Sequence, residues 1–405
     1  MSPPDGGTGA PGPLHGLRVL DIGTVYAAPI SAMLLGDLGA DVIKVEHPNG
    51  DPARTHGESV CGEGLWWKVI ARNKRTVTLD LSNEAAVEPF FGLVRRADVL
   101  IENFRPGVLE AWGLGPDILH EINPRLIILR LTGFGQDGPY AQRRAFGTLI
   151  EAMSGFAHQT GMPDGPPTLP PFGLADGVAG IAGALACVSA LYHRDAAGGD
   201  GQVIDMSLLE PLLGILGPGP SAFQQLGIIP GRFGNRSPNN APRNVFRTQD
   251  DRWVAISSST TSVARRVMSV VGCPGICIEP WFESARGRAQ HHELLDGMVG
   301  RWISRHTLAE VIREFTESGA AVAPVNNVAD LMGDPQVVAR KSIIEVHDED
   351  LGTLAMQNVM FRFARTPASI RFPGRRLGQD SVAVFEDLLG MSAAVVEDLK
   401  RQGAM

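Results

Sequence analysis

A chain of 405 residues, 44% hydrophobic and 20% charged, is long enough for two globular domains. Its net charge of −8 excludes a broad basic footprint for nucleic acid. No apolar stretch is expected to span a bilayer, and residues 1–13, a Pro/Gly tail with no basic region, read as a disordered leader rather than a signal peptide.

The first folded unit opens with Leu17 to Ile22 as a strand, Ala28 to Leu38 as a helix and Asp41 to Glu46 as a second, β-branched strand. Further strands are predicted at Thr76 to Leu81, Ala97 to Ile101 and Leu126 to Leu131, with a helix from Glu84 to Arg96. This alternation predicts a parallel α/β sheet of right-handed βαβ units. After a proline-rich loop, Asp176 stands directly before a small-residue helix, Val178 to His193, and Gln202 to Ser207 follows as a strand. The Pro/Gly/Asn-rich run from Gly217 to Arg243 reads as a connection or lid. A second unit is expected to open with the strand Trp253 to Ser257. Helices at Ser262 to Val271, Gln290 to Ser304 and Leu308 to Ser318 follow, and Ala321 to Val325 closes it as a strand. The C-terminal part holds a short β segment and a helix, Asp380 to Leu389.

Several nucleotide signatures are missing. The turn after the first strand, Gly23 to Ala27, lacks the glycine triplet of a nicotinamide site, and neither a Walker A sequence nor GxSxG occurs. Gly133, Gly135 and Gly138 form a GxGxxG, but Pro139 follows at once, so a turn or a loop over a ligand fits better than a Rossmann fingerprint. The four cysteines (Cys61, Cys187, Cys273, Cys277) suit a reducing compartment, so a cytoplasmic location is expected. The Cys273–Cys277 spacing has no second pair beside it, and no metal is expected. The block Arg72-Asn73-Lys74-Arg75 reads from charge as a solvated turn or a phosphate contact. Asn103, Phe104 and Arg105 follow a strand's carboxyl end, where open α/β sheets bind ligands. Asp176 reads on position alone as a helix N-cap; the same place would hold a carboxylate ionised in the helix field, and carboxylates also serve as covalent nucleophiles.

These blocks together resemble one family. Leu17 to Ile22, Ala28-Pro29, Leu38 to Glu46, Asn73 to Arg75, Ala97 to Gly107, Thr132 to Tyr140, Ser154-Gly155, Asp176, Gly201-Gln202 and Leu377 to Asp380 are similar, in order and spacing, to class III CoA-transferases. That family also includes the 2-methylacyl-CoA racemases and carnitine CoA-transferases. The resemblance implies a Rossmann-like large α/β domain (14–220 and 330–405), a smaller inserted α/β domain (221–329) and an interlocked, ring-like homodimer. It implies CoA or acyl-CoA as substrate, with no permanently bound cofactor and no membrane or nucleic-acid partner, and a small carboxylic acid as the second substrate. CoA is expected at Val25, Tyr26 and Ala27, at Arg72, Asn73 and Lys74, and at Asn103, Phe104 and Arg105, with Asp176 as nucleophile.

The racemase branch carries a histidine in a Gly-His-Asp block; here that block reads Ala145-Phe146-Gly147, and Phe146 cannot shuttle a proton. His158 lies 12 residues further on and is a poor substitute by position. The expectation is therefore a transferase, with succinyl-CoA as the leading donor, over a racemase, an intramolecular isomerase or a non-catalytic CoA-binding protein. His47 and Ala111 stand where members often carry arginine, and the glycine loop of oxalate-type transferases has no counterpart after Asn240. Arg143, Arg144, Arg232, Arg236 and Arg243 are the candidates for a second carboxylate on the substrate.

Overall fold

The computed structural model describes residues 11–405; residues 1–10 of the expected leader lie outside the described residues. The chain forms two compact units, one of residues 11–154, 170–217 and 336–405, the other of residues 155–169 and 218–335.

The first unit is built on six parallel strands. β1 (Arg18–Asp21), β2 (Asp41–Glu46), β3 (Lys74–Thr78), β4 (Val99–Glu102), β5 (Ile127–Thr132) and β6 (Val203–Ser207) pair in the order β3-β2-β1-β4-β5-β6. β2, β4 and β5 carry buried β-branched residues because helices and loops cover them on both faces, as parallel sheets require. β3 is displaced from its predicted span: β2 ends at Glu46 opposite Thr78, so Leu79 and Leu81 have no ladder to join and turn into the core instead. The strand order reverses between β1 and β4, which sets a ligand crevice beyond their carboxyl ends.

Four helices position the site: α1 (Ala27–Asp37), α2 (Glu84–Val94), α3 (Gly147–Met153) and α4 (Leu174–Ala196). α2 packs Phe90 and Leu93 on the sheet core of Leu20, Ile43, Leu100 and Ile128, and a C-terminal helix, Ser381–Leu389, adds Val384 and Phe385. Contrary to the expectation that no segment reaches membrane-spanning length, α4 is long and apolar enough to do so. Its composition has a packing cause. A Cβ at Gly180 would stand 2.4 Å from Ile30, and one at Gly183 would stand 2.5 Å from the Ser31 hydroxyl. α4 is made of small residues so that it can lie directly on α1, where Ser31 Oγ donates to the Gly180 carbonyl at 2.9 Å.

The second unit has an antiparallel three-stranded sheet, Arg243–Arg247, Trp253–Ser257 and Val322–Pro324, with the second strand central. Helices Thr261–Val270, His292–Ile303 and Leu308–Glu317 close a core around Val254, Ile256, Val267, Phe282 and Phe315. The strand Arg243–Arg247 precedes the one expected to open the unit. Its arginines and asparagine read as loop because it is an edge with one buried side chain, Phe246. The stretch expected to be irregular also contains a helix, Gly219–Leu226, with no buried residue.

Candidate active site

Two places in the first unit carry chemistry. The first is the rim at the carboxyl ends of β1 to β4. A cleft there is lined by Ile22, His47, Leu79, Ser82, Phe104 and Trp112, among others. The turn after β1 is tied across the strand-order switch by Asn103, whose side chain accepts from Thr24 N (2.8 Å) and donates to Thr24 O (2.9 Å). Val25 holds φ at +65°, a strained value for a β-branched residue. Asp51 pins it there, accepting from Val25 N at 3.1 Å and from Ala53 N at 2.8 Å. Phe104 meets Trp112 edge-on at 5.1 Å, and Arg105 is exposed. Ala27 is buried at the start of α1.

Beneath this rim lies a buried ionic network. Lys44 Nζ pairs with Asp51 (3.0 Å) and Asp21 (3.7 Å) and also donates to the Gly23 carbonyl. Lys74 Nζ pairs with Asp21 at 2.8 Å and donates to Pro29 O at 2.7 Å. Burial disfavours the charge on Lys44, but Asp21, Asp51 and Glu46 outweigh it and hold its pKa above the ordinary lysine value. Arg72 grips Asp37 with two bonds, at 3.1 and 2.6 Å, and donates to Gln357 O at 2.8 Å. Asn73 donates to Asp37 at 2.8 Å and to Ser369 O at 2.9 Å, and accepts from Arg371 N at 2.7 Å.

The expected CoA contacts therefore divide. Phe104 lines the cleft, and Val25 and Asn103 shape the turn that carries Thr24 into its lining. Arg72, Asn73 and Lys74 are buried, and their polar groups are bonded within the chain. Arg72 and Asn73 precede β3 at its amino end and fasten the C-terminal segment to the sheet edge, so their geometry is that of a tether rather than a phosphate clamp.

The second place is the junction of α3 and α4. α4 starts at Leu174 with Gly173 as its N-cap, so Asp176 is the third residue of its first turn and not the cap. Its half-buried carboxyl is reached by its own backbone amide and by that of Gly147. These donors do not win. Burial first, and the Glu151 carboxylate second, push Asp176 up to about 6, against the expectation that the helix field would hold it firmly ionised. Gly147 is the first residue of α3, and a Cβ there would stand 2.0 Å from Asp176 Oδ2. Glu151, one turn later on α3, is 1% exposed and accepts from Ala175 N at 3.0 Å.

Tyr26 joins the two places. Burial and the Asp176 charge both raise its phenol pKa, and its ring stacks on Trp66 at 4.4 Å. A Cβ at Gly173 would lie 3.2 Å from that ring and from the Asp176 carboxyl alike. Phe146, the residue before Gly147, is 69% exposed. The GxGxxG segment is a turn after β5 whose Gln136 amide is held by Asp205 of β6 at 3.1 Å. Of the five arginines, Arg143 and Arg144 are exposed and belong to this unit, with Arg143 over the Tyr140 ring at 3.6 Å. Arg232, Arg236 and Arg243 belong to the second unit, as does His158.

The parallel sheet in this strand order and the partly buried Asp176 carboxyl in the first turn of α4 are the features set against known proteins. The family model of CoA-transferase family III matches residues 14–381, and the chain belongs to that family. It is an enzyme of the CoA-transferase class. The chain is 39% identical over 384 residues to the succinyl-CoA–D-citramalate CoA-transferase of Chloroflexus aurantiacus, covering 94% of this chain and 95% of that one. It is 40% identical over 393 residues to the β subunit of the succinyl-CoA–L-malate CoA-transferase of the same organism, covering 96% and 97%. A CAIB/BAIF family protein from Brucella suis has the same fold, with a TM-score of 0.83 and 31% identity over 93% of this chain and 100% of that one.

Proposed function

We propose that the protein moves CoA from succinyl-CoA to a second small carboxylic acid, with Asp176 as covalent nucleophile. The observation that carries the reading is the Asp176 carboxyl itself: half-buried beside Tyr26, reached by the Gly147 amide and ionised above about pH 6. The names of the Chloroflexus aurantiacus relatives support succinyl-CoA as donor and a hydroxylated dicarboxylic acid as acceptor.

An Asp176 oxygen attacks the thioester carbonyl, and the C–S bond breaks to give a succinyl-aspartyl anhydride and CoA thiolate. The thiolate attacks the aspartyl carbonyl, forming aspartyl-CoA and releasing succinate. The acceptor carboxylate then displaces the thiolate from Asp176 as a new anhydride. The returning thiolate takes the acceptor's acyl group and frees the carboxylate. Each step exchanges one activated acyl bond for another. Water is the competing nucleophile, and burial of the junction opposes it.

CoA would lie along the crevice that Phe104, His47 and Ser82 line, and would reach the turn of Val25 to Ala27 and the segment Asn103 to Arg105. Arg72, Asn73 and Lys74 would act through the scaffold. Arg143 and Arg144, close in sequence to Gly147, would meet a remote carboxylate of the acid. The acceptor class, a homodimer and a cytoplasmic location complete the reading. Exposed apolar side chains at Phe146 just before α3, at Leu149 and Met153 of α3 and at Ile181, Leu185 and Tyr192 of α4 support coverage by a second copy. Four free thiols support a reducing compartment.

The test is to incubate the enzyme with succinyl-CoA and a panel of small acids, follow new thioesters by chromatography, and quench with hydroxylamine during turnover. A hydroxamate on the Asp176 peptide is expected. An unmodified Asp176 during active turnover sinks the covalent route. Release of α-deuterium from a single acyl-CoA would favour a racemase instead.

A further inference from the structure

α3 brings two special residues to the nucleophile on one helical face. Gly147 is the position where any side chain would strike Asp176, and Glu151 follows at i+4 on the same face. Glu151 is fully inside the protein, and its carboxylate is bonded to Ala175 N, the residue before the nucleophile. A buried carboxylate without a cation is expensive. Glutamine would satisfy the Ala175 amide equally well, so the hydrogen bond alone does not account for a charge at this position.

We propose that Glu151 is a positioning residue for the transfer reaction: it fixes the first turn of α4 through Ala175, and its charge drives negative charge off Asp176 in the acylation step. The inference rests on Asp176 being the nucleophile. When Asp176 attacks, one negative charge leaves the carboxylate, passes through the tetrahedral adduct and departs on the CoA sulfur. The anhydride left at Asp176 is neutral. Glu151 repels the ground-state carboxylate and nothing in the anhydride, so its charge favours the direction in which the charge moves away. The same repulsion makes Asp176 more basic, and a more basic carboxylate is the better nucleophile.

The titratable groups that bear on Asp176 are Glu151 from α3 and Tyr26 from the turn before α1; α1, β5, β6 and the helix Leu209–Ile215, which also pack on α4, add no charge to its titration. Among the described residues, one carboxyl and one phenol thus bear on the nucleophile, and its favourable partners are backbone amides.

The experiment compares Glu151→Gln and Glu151→Asp with the unaltered enzyme. Asp176 is titrated directly by carbon-13 NMR of aspartate-labelled protein, its signal assigned by its loss in Asp176→Asn. In Glu151→Gln the midpoint is expected to fall by about a unit from near 6, as is the acid limb of kcat/KM. At pH 8 kcat is expected to fall about tenfold with KM for acyl-CoA within about twofold, the pattern of a lost reaction-stage effect rather than lost binding. Glu151→Asp keeps the charge and is expected to keep the midpoint, even if its stability drops. An unchanged midpoint in Glu151→Gln, or equal shifts in both variants, overturns the proposal. The NMR titration needs no turnover, so a failure of the transfer assay itself counts against the proposed reaction and not against this charge coupling.

Discussion

The rim below the β1 and β4 ends and the α3–α4 junction both bury charge, and they handle it in opposite ways. Under the rim the buried lysines have carboxylates: Lys44 with Asp51 and Asp21, and Lys74 with Asp21. At the junction two carboxyls, Glu151 and Asp176, interact, and among the described residues no cation answers them. Paired buried charges do little for net stability, but they hold geometry, because removing one partner strands the other. Unpaired ones hold reactivity, since the energy of confinement is released when the charge leaves. The rim is thus built to keep Val25 and the β1 turn in a strained shape, and the junction to keep Asp176 ready to give up its charge.

The largest effect is expected at the junction. Asp176→Asn removes the nucleophile and should cut transfer by a factor on the order of 10⁴ or more, measured as new thioester formed. The same variant should be more stable than the parent at pH 8. Because the folded protein holds Asp176 near 6 and the unfolded chain near the ordinary 3.8, its contribution to stability is present at low pH and is lost as pH rises through about 6. The ionised form costs roughly 3 kcal/mol at most. Asp176→Asn should therefore gain stability in denaturant melts at pH 8 and gain nothing at pH 4, the usual exchange of stability for function. In the unaltered enzyme kcat/KM should climb through pH 6 as the carboxylate forms. A stability gain that is the same at both pH values would remove the contrast between the two regions.

The next largest effect belongs to the rim. Lys44→Met leaves Asp21 and Asp51 short of a buried cation and should cost about 3–5 kcal/mol in equilibrium unfolding. Gly147→Ala follows. Its Cβ would occupy the place of the Asp176 Oδ2, so the carboxyl must move by about an ångström, and kcat/KM should drop by about 10². Its cost in unfolding should be small beside that of Lys44→Met. If the two variants exchange these signatures, the division into a geometric and a reactive region is wrong.

Much of this was legible in the residues. The β-branched runs marked β2, β4 and β5 because a parallel sheet buried on both faces needs them, and the block order marked the family and Asp176. The buried lysines were legible in kind: a charge inside Asp41–Glu46, between apolar residues of a buried strand, must have a partner, although the sequence does not say which. Arg72 and Asn73 misled, since a basic cluster before a strand reads the same whether it faces phosphate or carbonyls nearly 300 residues later. Glu151 was passed over because its meaning depends on α4 lying across α3, a tertiary fact. The one local hint was its i+4 distance from Gly147. The cap reading of Asp176 failed by one turn, because Gly173 starts the helix earlier than the apolar pattern does.

The smallest expected effect tests whether the two regions are separable. Asp51 holds the amide of Val25 and the charge of Lys44, and it lies at the rim, where it belongs to the cleft lining. Asp51→Asn keeps an oxygen for the Val25 and Ala53 amides but weakens both bonds and the ion pair. Val25, strained by about 1–3 kcal/mol at its positive φ, should then relax part of the time. A crevice competent only part of the time binds CoA more weakly in proportion. The dissociation constant for CoA and the KM for acyl-CoA should rise together, about tenfold. Once substrate is bound the turn is restored, and Asp176, Glu151 and Gly147 are as before, so kcat should stay within about threefold. Should kcat fall as far as KM rises, the strained turn would be acting on the nucleophile itself. Tyr26, next to Val25 and beside Asp176, would be the residue that carries the effect.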